Sequence, residues 1–277
     1  MIQARTVDTR VGRVVLREGG AGQPLVYLHS ATGEGDGLGF LDALAASGHV
    51  LAPMFPGFGG SEGIESIDDM EDATFHLLDL WERLGLDAPV VVGLSLGGWM
   101  AAELATRHPE RVGALVLVNP VGHHIPGAPI KDIFGRSPSE MVEDLFFAPD
   151  HPVAQLMRAL GDYRSDPGQA GALTFDMIAP MVQVLGAAAR LGWDPYLHNP
   201  KLRSRLWRIS CPTLVVRGEA DTLVPTEHAR VYVEGIAGAR LEVVPQSAHL
   251  VPLEQPERLA ALVRDFVAAA AAAPVRS

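Results

Sequence analysis

Cysteine is nearly missing from this chain; Cys211 is its single representative. A lone thiol excludes an internal disulfide framework and any cysteine-rich zinc site. Placed before Pro212 and an apolar run, it reads as a buried structural thiol. Lysine is almost as scarce, at Lys131 and Lys201 alone, and no polybasic run occurs. With a net charge of −11 the chain lacks the cationic face that a polyphosphate partner requires, so nucleic acid is not an expected partner. No uninterrupted apolar stretch is long enough to cross a bilayer. Met1-Ile2-Gln3-Ala4-Arg5 is not the opening of a secretory signal, and a cytoplasmic chain with no membrane partner is expected. A His-Glu-x-x-His pattern is also missing, and neither metal nor cofactor is expected.

What is present is enough for a large core: 277 residues, 48% of them hydrophobic and 20% charged. Short β-rich runs alternate with helical patterns, which predicts an α/β fold with a mostly parallel central sheet of about eight strands and helices on both faces. Seven candidate strands are legible, at Arg13–Arg17, Pro24–His29, Val50–Met54, Pro89–Leu94, Ala114–Asn119, Thr213–Gly218 and Arg240–Pro245. Three of them carry continuous apolar runs, as expected of central strands covered on both faces. Ser66 is placed as the cap of a helix whose acidic first turn suits the positive helix end. The alternation breaks between Gly122 and about Leu206, a stretch too long for a bare loop. That divides the chain into a core, residues 1–121 and 207–277, and an inserted helical cap, residues 122–206. Phe134, Met141, Phe146, Tyr163 and Tyr196 give the cap apolar and aromatic surface, expected mainly to pack the cap itself.

The sharpest local pattern is Gly93-Leu94-Ser95-Leu96-Gly97, set between the strand ending at Leu94 and a helix predicted over Leu96–Arg107. Gly-x-Ser-x-Gly in that context is a nucleophile elbow: a strained turn that presents the Ser95 hydroxyl at a helix N-terminus, where side chains at Gly93 or Gly97 would strike backbone. Serine needs a base, and the base an orienting acid. The expected chain order is Ser, acid, His. Asp221 and His249 each lie just past the carboxyl end of a predicted strand, where open α/β sheets place their sites. Glu219 is a weaker rival for the acid. His198 and His228 read as surface residues.

These segments, with Leu28-His29, Phe55-Pro56-Gly57-Phe58-Gly59-Gly60-Ser61 and Glu254-Gln255-Pro256, resemble the α/β-hydrolase fold over nearly the whole chain. The resemblance implies Ser95 as nucleophile, His249 as base and Asp221 as the acid, with an oxyanion hole formed by the backbone N–H groups of Leu96 and Ala31. Relatives usually carry His-Gly-x where this chain has His29-Ser30-Ala31, so the oxyanion loop departs from the pattern. Ser30, Trp99, His123 and Leu250 are candidate substrate contacts. The loop Gly33-Glu34-Gly35-Asp36-Gly37-Leu38-Gly39 misses the dinucleotide fingerprint, and Glu34 and Asp36 would repel a pyrophosphate; it reads as a flexible loop bordering the pocket.

A serine at the elbow favours attack on an acyl carbon, and the first expectation is hydrolysis of a small to medium, largely apolar ester or lactone. Two further enzyme readings share the triad: cleavage of a carbon–carbon bond in ring-fission products, and cofactor-free perhydrolysis. Enzymes of the carbon–carbon group often carry Trp after the histidine, where Leu250 stands here. A reading of another class is a small-molecule receptor on the same fold.

Overall fold

The computed structural model describes residues 1–35, 37–159 and 175–272; Asp36, Tyr163 and the end of the C-terminal alanine run lie outside them. Eight strands form one sheet in the order β1-β2-β4-β3-β5-β6-β7-β8. They are β1 (Gln3–Asp8), β2 (Arg13–Gly19), β3 (Pro24–Leu28), β4 (His49–Pro53), β5 (Val90–Leu94), β6 (Ala114–Val118), β7 (Thr213–Gly218) and β8 (Arg240–Val244). β1 and β2 pair antiparallel and β2 joins β4 antiparallel, whereas β4, β3, β5, β6, β7 and β8 run parallel. This is the α/β architecture expected from the alternation. β1 is not among the strands the sequence predicts: every residue but Val7 is exposed, so no apolar alternation marks it. β5 and β6, in contrast, are buried at every position, and their unbroken apolar runs follow from having helices on both faces.

The helices are α1 (Gly39–Ala45), α2 (Met70–Leu84), α3 (Leu96–Arg107), α4 (Pro138–Leu145), α5 (Pro152–Ala159), α6 (Phe175–Gly192), α7 (Thr226–Gly235), α8 (Val251–Glu254) and α9 (Pro256–Ala272). α1 packs on α9, and α2 packs on α3. The cap of α2 is Asp69, not Ser66: the Asp69 carboxylate accepts the amides of Glu71 and Asp72 at 2.7 and 3.0 Å. Ser66 ends a separate 3-10 turn, Ile64–Ser66, because Gly63 at φ 91 redirects the chain first. Between β6 and β7 the described elements are α4, α5, α6 and a 3-10 turn over Arg203–Arg208, with Gly122 and His198 joined in an isolated bridge. Cys211 is buried, and burial pushes its thiol up to about 11.

The order of strands fixes where a site can form. The chain leaves β3 toward β4 on one side, then returns to place β5 on the other side of β3. Connections that diverge from adjacent parallel strands leave a crevice at their carboxyl ends. The loop after β3 and the turn after β5 border that crevice, and they carry Ala31 and Ser95.

Candidate active site

Ser95 occupies a backbone conformation that L-residues rarely adopt, φ 53 and ψ −110. Such strain, of order 1–3 kcal/mol, survives only where the surroundings over-determine it. Here they do so through backbone contact. The Ser95 N–H donates to the Val118 carbonyl at 2.9 Å, and its carbonyl accepts from Trp99 at 3.0 Å. A Cβ on Gly93 would stand 2.4 Å from the Gly97 carbonyl oxygen, and one on Gly97 would stand 2.2 Å from that of Leu28. Both distances are impossible, so the two glycines are what let β5, α3 and β3 close around the serine. Leu96 is the first residue of α3, and its N–H has no carbonyl a turn earlier to bond.

His249 follows β8 and is almost fully buried. Its Nδ1 lies 2.9 Å from Asp221 Oδ2. Asp221 Oδ1 is occupied by the amides of Leu223 and Val224 at 2.9 and 3.0 Å, so the tight turn after β7 aims the other oxygen at the imidazole. Glu219, the rival acid, instead reaches the amide of Gln246. Ser95, His249, Ser30, Ala31 and Thr32 line one cleft, whose remaining wall includes Val121, Ile130, Met141, Leu185 and Leu223. A hydroxyl, an imidazole and a paired carboxylate around an apolar cleft are the parts that nucleophilic acyl transfer requires.

Trp99, His123 and Leu250 are not among the residues that line this cleft. Trp99 is buried in α3, its indole N–H donating to Glu103 at 3.1 Å. His123 packs against Tyr232 in a tilted pair at a centroid distance of 4.4 Å, and burial with nearby cationic groups lowers its pKa to about 3. Leu250 lies under α4 with its amide bonded to the Leu145 carbonyl. His228, expected at the surface, is buried, with Nε2 2.9 Å from the Ala128 carbonyl; α7 turns that face toward the segment after β6. His198 is half-buried and bonds the Tyr196 carbonyl nearby.

Ser30 does line the cleft, but its hydroxyl is engaged. It donates to Glu34 Oε2 at 2.6 Å and accepts from the Thr32 amide at 3.1 Å. Glu34, which the sequence presents as part of a flexible glycine-rich loop, is thus tied into the turn after β3. Before it stands His29, whose Nδ1 donates to the Ser30 carbonyl at 2.7 Å and whose Nε2 accepts from Phe55 at 3.0 Å. One donating and one accepting nitrogen define a neutral ring, and burial accordingly lowers its pKa.

Two supporting residues were given no role by the sequence: Asn119 ends a predicted strand, and Glu254 belongs to a segment that marks the fold only. Asn119, at φ 41, follows β6 and binds the last residue of β7 and the turn after β8. Glu254 accepts the Ala248 amide with one oxygen and the Phe147 and Ala148 amides with the other. A third contact joins the segment after β6 to the acid turn: Asp144 accepts from Lys131, Arg136 and Thr222.

With the sheet order, the elbow and the His–Asp pair in view, the chain belongs to the alpha/beta hydrolase fold family, whose model matches residues 23–256. It is 32% identical over 275 residues to the 2-hydroxymuconate semialdehyde hydrolase of Pseudomonas sp. strain CF600, covering 95% of this chain and 93% of that one. It is 26% identical to the 2-hydroxy-6-oxo-6-phenylhexa-2,4-dienoate hydrolase of Burkholderia cepacia, covering 92% and 91%. Among solved structures, the enzyme of that latter name from Rhodococcus sp. strain RHA1 superposes with a TM-score of 0.77 at 20% identity, covering 97% of this chain and 99% of that one.

Proposed function

We propose that this hydrolase cleaves a carbon–carbon bond beside an aldehyde or ketone carbonyl, in a substrate of the vinylogous dicarbonyl type, with Ser95 as nucleophile. The supporting observation is the relative at 32% identity across 95% of the chain. It is named for a semialdehyde, and other relatives for oxo-dienoates. Those names contain no ester; hydrolysis of a 6-oxo-dienoate divides the chain at a carbonyl-bearing carbon. This reading displaces the ester or lactone expected from the elbow alone, since a serine nucleophile serves both bonds.

In the proposed reaction the His249 imidazole takes the Ser95 proton as Oγ adds to the ketone carbon. The Asp221 carboxylate holds the Nδ1–H tautomer and stabilises the imidazolium. Amides of Leu96 and Ala31 face the tetrahedral oxyanion. With the dienoate in its 2-oxo tautomer, where the carbon beside the ketone is saturated, collapse breaks the carbon–carbon bond; its electron pair leaves as a conjugated dienolate, which takes the proton from His249. Water then hydrolyses the acyl-serine, with His249 as base, and returns Ser95 to its starting state. A cleft wall of Val121, Ile130, Met141, Leu185 and Leu223 suits the hydrocarbon part of such a substrate.

A second reading, a neutral ester or lactone, has Leu250 in its favour, because the residue after the histidine is aliphatic and buried here. One panel separates them: a 2-hydroxy-6-oxo-dienoate followed by loss of its absorbance, short and medium acyl esters, and lactones, each repeated with Ser95→Ala. The carbon–carbon reading expects the dienoate to be turned over repeatedly at a kcat/KM well above every ester, with loss of turnover in S95A. Multiple turnovers of esters alone would replace it with the second reading. Tight binding without turnover would mark a receptor.

A further inference from the structure

We propose that Glu34 is the positioning residue of the oxyanion loop, fixing by hydrogen bonds a turn in which relatives use glycine. The inference rests on Ser95 being the nucleophile. It does not depend on which bond is cleaved.

The Glu34 carboxylate accepts four hydrogen bonds, two on each oxygen. Oε1 takes the Tyr27 hydroxyl at 2.7 Å and the Ser30 amide at 2.8 Å. Oε2 takes the Ser30 hydroxyl at 2.6 Å and the Thr32 hydroxyl at 2.8 Å. Every donor belongs to β3 or to the three residues that follow His29. Both polar ends of the Ser30 backbone are therefore fixed: the amide by Glu34, the carbonyl by the His29 ring at 2.7 Å and the Gly33 amide at 3.1 Å.

That fixes Ala31. The Ser30 carbonyl and the Ala31 N–H share one planar trans peptide and point in opposite directions. With the carbonyl turned toward His29 and Gly33, the Ala31 N–H is turned away from them, on a residue that lines the cleft with Ser95. Gly33, at φ 69, completes the turn; a Cβ there would stand 2.8 Å from the Phe58 ring. Serine resists some backbone angles that glycine accepts, and the carboxylate supplies the ordering that composition does not. A carboxylate so engaged acts on geometry and takes no proton in the reaction.

The test reads the rate at which a fluorophosphonate labels Ser95. In that step the Oγ–P bond forms, the P–F bond breaks, fluoride departs and the hydroxyl proton passes to His249. The phosphoryl oxygen occupies the oxyanion hole, so no knowledge of the natural substrate is needed. Glu34→Ala is expected to slow labelling about 10²–10³-fold, the range for one lost oxyanion donor. On any ester or diketone that the protein turns over, E34A is expected to lower kcat with KM within about threefold. Glu34→Gln can still accept with its oxygen from Tyr27 and the Ser30 amide while its NH2 donates to the two hydroxyls, so it is expected to restore most of the rate. Labelling of E34A within twofold of wild type would overturn the inference, as would an E34Q defect equal to that of E34A in folded protein. If E34A does not fold, the comparison is made between wild type and Thr32→Val, expected to slow labelling about tenfold and overturned by no change. Ser95→Ala is the separating control: labelling that persists in S95A sinks the nucleophile assignment, whereas a wild-type rate in E34A sinks only the role of Glu34.

Discussion

Asn119 and His249 stand two strands apart, and the Asn119 side-chain amide reaches across β7 to the His249 backbone carbonyl at 2.8 Å. The same nitrogen lies 3.2 Å from the Ala248 carbonyl, and the amide oxygen accepts from Gly218 at 3.0 Å. One side chain thus pins the turn bearing the imidazole to the end of the strand that leads to Asp221.

Removing that pin tests how rigid the pair must be. Asn119→Ala strands buried backbone groups on two turns, so unfolding free energy in urea is expected to fall by about 1–3 kcal/mol. kcat is expected to fall with little change in KM, because the substrate wall is untouched. A protein of wild-type stability and kcat would show that the turns hold themselves.

Asp221→Asn keeps an oxygen for the amides of Leu223 and Val224 but turns an NH2 toward His249 Nδ1. Two facing donors force the imidazole into the wrong tautomer. Turnover is expected to drop about 10⁴-fold while circular dichroism is unchanged. Glu219→Gln is expected to stay within about twofold of wild type. Equal losses in the two variants would mean that the carboxylates act together.

Strain at Ser95 predicts a gain in stability on its removal. Glycine accepts φ 53 freely, so Ser95→Gly is expected to resist denaturation better than Ser95→Ala by about 1 kcal/mol. That figure is the relieved strain of ~1–3 kcal/mol less the ~0.4–1 kcal/mol that glycine adds to unfolded-chain entropy. Paired urea melts read the difference directly. An alanine variant at least as stable would show the elbow to be unstrained.

Acid should weaken the fold before most carboxylates titrate. His76 and His123 each bury a ring nitrogen with no partner among the described residues. Burial lowers His76 from 6.5 to about 4 and, with nearby cationic groups, His123 to about 3. The unfolded chain then binds more protons than the folded one below about pH 6.5, so stability falls as pH falls. Each histidine contributes a slope of about 1.4 kcal/mol per pH unit. Urea melts between about pH 6.5 and 4.5 should show the decline, and His76→Asn should flatten it; an unchanged slope in that variant would assign the acid sensitivity elsewhere.

The elbow was legible because its constraint is local: five residues between a strand and a helix contain the whole steric problem. The order of Asp221 and His249 was legible because each closes a strand. Glu34 was not, since its four donors come together only when the turn after β3 folds back, and a glutamate between glycines reads as solvated. Asn119 looked like the end of an apolar strand. β1 escaped because an exposed edge strand has no buried face to write into its sequence, and His228 was misplaced because the first turn of a helix says nothing about which side will be covered.

Glu254 grips Ala248 with one oxygen and Phe147 and Ala148 with the other. A single carboxylate therefore ties the segment just after α4 to the residue just before His249. Loss of the Glu254 carboxylate would leave three backbone amides, on two segments far apart in the chain, without their acceptor at once.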